Sequence, residues 1–219
     1  MKGPSIKIHQ KEGYRVKFLL VGDSKVGKTN IINRFIKHKN ERDYKPTIGI
    51  DEYQDINFKI EEDTFVLKII DTSGNKKFIE IIKRECVNTS FVIVVFDITN
   101  KDSFLSVENW VKHCSSTGNK DINFILVGNK NDIEEERKIS LDEANSFAEK
   151  KNMNYYDISA FKDEDVKQIF DEAFNSFYSK FIENKDPNSY QKTRIKSKNV
   201  EEKDKKNKYE NNNNKCFCY

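Results

Sequence analysis

Long apolar runs are missing from this chain. The longest, such as Phe91–Phe96, have the length of a strand and are far too short to cross a bilayer. Met1 to Arg15 is polar, so no secretory signal is expected there. Lys2, not glycine, follows Met1, which excludes N-myristoylation. Cysteine is sparse. Cys86 and Cys114 stand far apart, Cys216 and Cys218 crowd the end, and no spacing fits a disulfide framework or a zinc site. A reducing compartment is the natural setting, with Cys86 and Cys114 as structural thiols. Charge of one sign is also lacking: 39 basic against 36 acidic residues leave a net of +3, too little for a nucleic-acid footprint. The small excess is local. From Lys185 onward there are ten basic and five acidic residues, a net of +5, and the 29 basic and 31 acidic residues before it give −2. There are no internal repeats.

Short apolar runs bounded by polar residues predict strands at Tyr14–Val21, Tyr53–Ile60, Phe65–Ile70, Phe91–Asp97, Ile122–Val127 and Asn154–Ile158. Helical periodicity appears between most of them. Lys28–His38 groups Ile31, Ile32, Phe35 and Ile36, and Asp102–Cys114 groups Phe104, Val107 and Val111. Ser140–Lys150 opens with a capping box of Ser140 and Glu143. Asp165–Phe181 repeats Val166, Ile169, Phe170, Ala173, Phe174 and Phe177. The alternation predicts an α/β fold: a mostly parallel sheet covered by helices on both faces, in three layers. Only Tyr53–Ile60 and Phe65–Ile70, separated by a hairpin-length gap, should pair antiparallel. Trp110 is expected at a helix edge. After Lys185, Lys, Asn, Glu and Ser dominate and leave little apolar material to offset ordering entropy. The chain therefore divides into an N-terminal extension at 1–13, one folded domain at 14–183 and a disordered basic tail at 184–219.

The strongest chemical signal is Gly22-Asp23-Ser24-Lys25-Val26-Gly27-Lys28-Thr29, a G-x-x-x-x-G-K-[ST] segment that follows one strand and opens a helix. Backbone N–H groups of such a loop and helix N-terminus wrap a phosphate, and its glycines allow close approach. Lys28 is placed to reach the β- and γ-phosphates, and the Thr29 hydroxyl to reach Mg²⁺. Asn129-Lys130-Asn131-Asp132 follows a later strand. The Asp132 carboxylate can accept two N–H donors from guanine that adenine does not offer, which disfavours an ATPase or kinase. Taken alone, this segment is also compatible with a solvated turn. Ser159-Ala160 offers a backbone N–H for the guanine carbonyl. Asp71-Thr72-Ser73-Gly74 ends a strand: Asp71 suits Mg²⁺, and Gly74 an N–H directed at the γ-phosphate. In Pro46-Thr47-Ile48-Gly49-Ile50-Asp51, Thr47 is either a further Mg²⁺ ligand or an ordinary loop threonine.

Over roughly Tyr14 to Ile182 these segments, in this order, resemble a small GTPase of the Ras superfamily. Gly22-Asp23-Ser24, Thr47-Ile48-Gly49-Ile50-Asp51, Asp97-Ile98-Thr99, Ser103-Phe104 and Asn109-Trp110 resemble the Rab family in particular. The resemblance implies a P-loop G domain with a six-stranded sheet, one strand antiparallel, and nucleotide at the strands' carboxyl ends. It implies a monomeric switch between GTP and GDP states in vesicle traffic, with Mg²⁺ and with Lys28, Thr47, Gly74 and Asn75 as the catalytic set. Exchange factors, activating proteins, effectors and prenyl-transfer or GDI-type chaperones are the implied partners, and nucleic acid is not among them. The cytoplasmic face of an intracellular membrane, in exchange with cytosol, is the implied location.

Several residues depart from that pattern. Asn75 stands where the family usually has the water-orienting Gln, so intrinsic hydrolysis should be slow, and a largely GTP-bound scaffold is the alternative. Asn40 replaces an aromatic that stacks on guanine, a loss of about 1–2 kcal/mol unless Tyr44 substitutes. Glu52, Ile70, Lys76 and Lys77 alter the surface that partners read. The end, Lys215-Cys216-Phe217-Cys218-Tyr219, satisfies C-a-a-X through Cys216 and also resembles the two-cysteine ends of Rab proteins. One or two prenyl chains on Cys216 and Cys218, beside the basic tail, would anchor the protein to a membrane.

Overall fold

Glu12–Val21 (β1) places Val16, Phe18 and Leu20 on one face and Leu19 and Val21 on the other, all with no exposed surface. A strand buried on both faces belongs inside a parallel sheet. In the computed structural model, which describes residues 12–38, 46–60, 63–117, 122–184 and 192–194, β1 lies between Asp63–Thr72 (β3) and Phe91–Asp97 (β4), parallel to both. The sheet continues through Asn123–Asn129 (β5) to Asn154–Ile158 (β6), and ends on the other side at Ile50–Ile60 (β2), the antiparallel partner of β3. The order is β2-β3-β1-β4-β5-β6, and these six strands form the expected mostly parallel sheet with one antiparallel member.

Two helical layers cover it. Lys28–Lys37 (α1) and Asp163–Asn184 (α6) close one face, where Phe35 stacks on Phe170 at 3.9 Å and Phe18 meets Phe91, Phe170 and Phe174. Ile79–Cys86 (α2), Lys101–Leu105 (α3), Val107–Ser115 (α4) and Leu141–Lys150 (α5) accompany the other. Its core joins Leu19, Ile70, Val92, Val94 and Phe96 to Ile82, Val107, Trp110 and Ala144. The single helix expected over Asp102–Cys114 is divided at Ser106, although Ser106 N–H→Asp102 O and Trp110 N–H→Ser106 O carry the helical bonding through. Asn100 caps α3, and the Ser140 hydroxyl caps α5 by accepting from the Glu143 N–H at 3.1 Å. Cys86 and Cys114 are both fully buried as thiols, with no disulfide between them. The hydrogen bond between them, together with burial, pushes the Cys114 thiol's pKa far up.

Two elements differ from expectation. The helix α2 carries only Ile82 and Cys86 as buried residues, too few for a periodic signal. Lys192–Arg194 (β7) pairs antiparallel with Glu12–Tyr14, inside the region read as a disordered tail. The reason is an open backbone edge. Pairing of β1 with β4 begins only at Phe18, and β7 pairs with the first residues of β1 ahead of it.

Lys17 is buried in β1, where its ammonium donates to the Glu85 carbonyl at 2.6 Å and to the Glu85 carboxylate at 2.7 Å. This ties the end of α2 to the central strand. Removing one partner of a buried pair leaves an uncompensated charge. Glu85→Ala should therefore lower stability by roughly 2–4 kcal/mol. Adding Lys17→Met should recover most of that loss, as read from urea unfolding of both variants.

Candidate functional site

The turn between β1 and α1 is shaped by two glycines. Gly22 has φ 142°, and a Cβ there would lie 2.1 Å from the Val95 carbonyl oxygen. Gly27 has φ 99°, and a Cβ there would lie 2.2 Å from the Asn129 side-chain nitrogen. Both positions lie in the left-handed region that favours glycine. The loop consequently curls over the carboxyl ends of the strands and bounds a cavity of about 670 Å³. Ser24, Lys25, Gly27, Lys28 and Thr29 line it, whereas Val26 is turned into the core. Lys28 is buried and its ammonium donates to the Gly22 and Asp23 carbonyls, both at 2.8 Å. Burial lowers its pKa to about 8, against the charges of Asp71 and Asp23.

Trp110 is not the helix-edge residue expected from the sequence. It is 2% exposed, and its indole N–H donates to the Asp23 carboxylate at 2.8 Å, so α4 holds the loop from below. This bond joins residues 87 positions apart, and nothing in the local pattern around Trp110 marks it.

At the far end of α1's first turn, three oxygens converge. The Thr29 hydroxyl donates to Asp71 Oδ2 at 2.5 Å, the Thr47 hydroxyl donates to the same oxygen at 3.1 Å, and the two hydroxyls are 3.2 Å apart. Asp71 Oδ1 is buried with no hydrogen-bond partner. Burial pushes the Asp71 pKa up, against the Thr29 bond and the Lys28 charge. A buried carboxylate oxygen with an unused lone pair, beside two hydroxyls, is a donor set suited to a hard cation such as Mg²⁺, which keeps several waters and takes further oxygens from phosphate. Among the described residues, no group of three or more His, Cys, Asp or Glu is arranged to hold a metal.

Ser73, Gly74 and Asn75 also line the cavity. Gly74 presses on the loop so closely that a Cβ would sit 2.1 Å from the Ser24 nitrogen. The Asn75 side-chain oxygen accepts from the Lys77 N–H at 3.0 Å and so caps the 3₁₀ turn Lys76–Phe78. The Asn75 N–H in turn donates to the Ser73 hydroxyl at 3.3 Å.

The other end of the cavity is held by Asn129. This buried amide donates to the Val26 carbonyl at 2.8 Å and accepts from the Ala160 N–H at 2.9 Å. Lys130, in the left-handed region at φ 77°, forms an ion pair with Asp97. Asp132 is exposed and receives the Ser159 hydroxyl at 2.5 Å, which fixes its orientation. Behind this end stands a network the sequence did not suggest: the Arg137 guanidinium on both Asp157 oxygens at 2.8 and 3.1 Å, with the Tyr155 hydroxyl donating to Asp157 at 2.8 Å. Phe161, also unanticipated, lines the cavity next to Ala160. Asn40, Tyr44, Cys216 and Cys218 lie outside the described residues.

The model of the Ras family matches residues 17–179. A Ras-related protein Rab-11B of Dictyostelium discoideum is 32% identical over 172 residues, which is 78% of each chain. A Rab-2B of the same organism is 32% identical over 168 residues, covering 77% of this chain and 83% of its own. A Ras-related protein Rab-1 of Theileria parva is 35% identical over 158 residues, covering 72% and 71%. With that similarity spread over a fold and a cavity of this form, the chain belongs to the Rab family of small GTPases, enzymes that hydrolyse GTP.

Proposed function

We propose that the cavity binds guanine nucleotide with Mg²⁺ and that the protein is a slowly hydrolysing switch on an intracellular membrane, acting in vesicle traffic. The observation that carries this reading is the meeting of Thr29, Thr47 and Asp71 beside the loop that carries Lys28. Thr47 comes from the connection after α1 and Asp71 from the end of β3, so the contact joins two segments that would sense whether a γ-phosphate is present.

In this reading the loop N–H groups and Lys28 neutralise and orient the phosphates, while the Gly74 N–H faces the γ-phosphate. Thr29, Thr47 and Asp71 would hold Mg²⁺, whose charge would offset that of the phosphates. Asp132 reads the guanine edge, Asn129 and Lys130 bound the cavity at that end, and the Ala160 N–H, which donates to Asn129, would turn from it to serve the guanine carbonyl. Hydrolysis needs a group that positions the attacking water. Asn75 stands at the place for it, but its side-chain oxygen is engaged with the Lys77 N–H, and its reach is one methylene short of Gln. Water positioning is most of what such a site contributes. An activating protein could supply the missing groups in trans.

The test is single-turnover GTP hydrolysis on Mg²⁺-loaded protein. The native chain should be at least about ten-fold slower than Asn75→Gln, the scale on which small misplacements act. Equal rates would refute this account of Asn75. A rate of zero in both, with GTP tightly held, would favour the second reading, a membrane-anchored scaffold that stays GTP-bound; the engagement of Asn75 speaks for that reading too.

Membrane attachment rests on Cys216 and Cys218 and on the basic tail, with prenyl transferase, GDI-type chaperones, an exchange factor, an activating protein and effectors as partners. Among the described residues no helix is long and apolar enough to cross a membrane. The cell-made protein should partition into detergent, and Cys216→Ser with Cys218→Ser should stay in the aqueous phase. Aqueous partitioning of the native protein would refute lipidation.

A further inference from the structure

Asp23 is out of keeping with its place. The segment Gly22–Thr29 carries two lysines and this one acid, in a loop read as a cradle for phosphates. A carboxylate repels a phosphate, and the more so where water is scarce. The charge is close enough to matter. Burial lowers the pKa of the Lys28 ammonium, and Asp71 and Asp23 are the charges that oppose that shift.

Asp23 is nevertheless not among the residues that line the cavity, although Ser24, Lys25, Gly27, Lys28 and Thr29 are. Three contacts hold it. Its carbonyl accepts from the Lys28 ammonium at 2.8 Å. Its main chain is pressed by Gly74, where a Cβ would lie 2.2 Å from the Asp23 carbonyl carbon. These two fix the backbone. The side chain is fixed by the third, in which Oδ1 accepts from the Trp110 indole N–H at 2.8 Å. The indole is a firm anchor. Trp110 is 2% exposed and shares the buried stripe of α4 with Val107 and Cys114. An indole N–H only donates, so it can retain a carboxylate oxygen without bringing a charge of its own to the loop.

Resting on the reading of the cavity as a guanine-nucleotide site, we propose that Trp110 is a positioning residue that holds the Asp23 carboxylate outside the cavity and away from the nucleotide phosphates. The indole touches no ligand. It acts through Asp23, and what it prevents is a like-charge contact that would speed nucleotide release.

The experiment uses the full-length protein with Mg²⁺ and follows GDP release from the native chain, Trp110→Phe, Asp23→Asn and the double variant. Asn keeps the acceptor oxygen and drops the charge. Trp110→Phe should release GDP about ten-fold faster than the native chain, a mid-range coupling between groups in contact. In the Asn background the same change should alter release by less than about two-fold. Both comparisons lose the same indole packing, so the difference between them isolates the charge. Equal acceleration in the two backgrounds, or native release from Trp110→Phe, would overturn the proposal. Should Trp110→Phe fail to fold, Asp23→Glu set against Asp23→Gln asks the same question with the indole in place. The longer carboxylate overshoots the indole N–H and should release GDP several-fold faster than its neutral counterpart; equal rates would sink the idea. Failure of the native protein to retain GDP would instead overturn the reading of the cavity and the proposal with it.

Discussion

One amide holds the site together. Asn129 ends β5, the strand next to β4, and its side chain donates to the Val26 carbonyl in the loop after β1 and accepts from the Ala160 N–H after β6. Three connections from three strands thereby share two buried hydrogen bonds. A buried amide left half satisfied would cost more than the bonds themselves contribute, so the geometry tolerates little variation. The constraint reaches Gly27, whose missing Cβ is the space that the Asn129 amide occupies. It reaches Lys28 as well, because the helix that presents this ammonium begins at Gly27.

The two sides of the cavity are held differently. On one side, Asn129, the Trp110–Asp23 bond and the Arg137–Asp157–Tyr155 network fix the loops to the sheet from several directions. On the other side, Thr47 reaches the site through hydroxyl contacts at 3.1 and 3.2 Å, and Gly74 through backbone contact alone.

Most of the fold was legible because burial on both faces leaves dense apolar runs, and helices that cover a sheet repeat at helical spacing. The Gly22–Thr29 loop and the Asn129–Asp132 segment could be singled out as candidates because each is a short run of adjacent residues, and both contribute to the cavity lining. What escaped has a non-local cause. Trp110 reads as one more apolar residue on α4, since its partner Asp23 becomes visible only once β1 and α4 are packed. The helix α2 buries one short stripe and has no side-chain cap at Phe78. The strand β7 answers to an unpaired backbone edge, which composition cannot express. Phe161 follows directly after the Ser159-Ala160 pair, and only the cavity reveals that the ring faces the same space as Asn129 and Lys130.

Asn75 illustrates how a departure from the family pattern can be compatible with an intact fold. Asn is among the preferred capping residues because its short side chain reaches back to a nearby N–H, and here it accepts from Lys77 two positions on. The longer Gln lacks that fit to the local backbone and is freer to extend outward. The Ser73 hydroxyl adds to the same arrangement by accepting from the Asn75 N–H. The segment after Gly74 is thus ordered by its own side chains. A change that stabilises the turn need not disturb Lys28, Thr29 or Asp71, which belong to other elements and are held by other bonds. Lys28, Thr29 and Asp71 and the Asn75 turn are thus held by separate bonds in different parts of the chain.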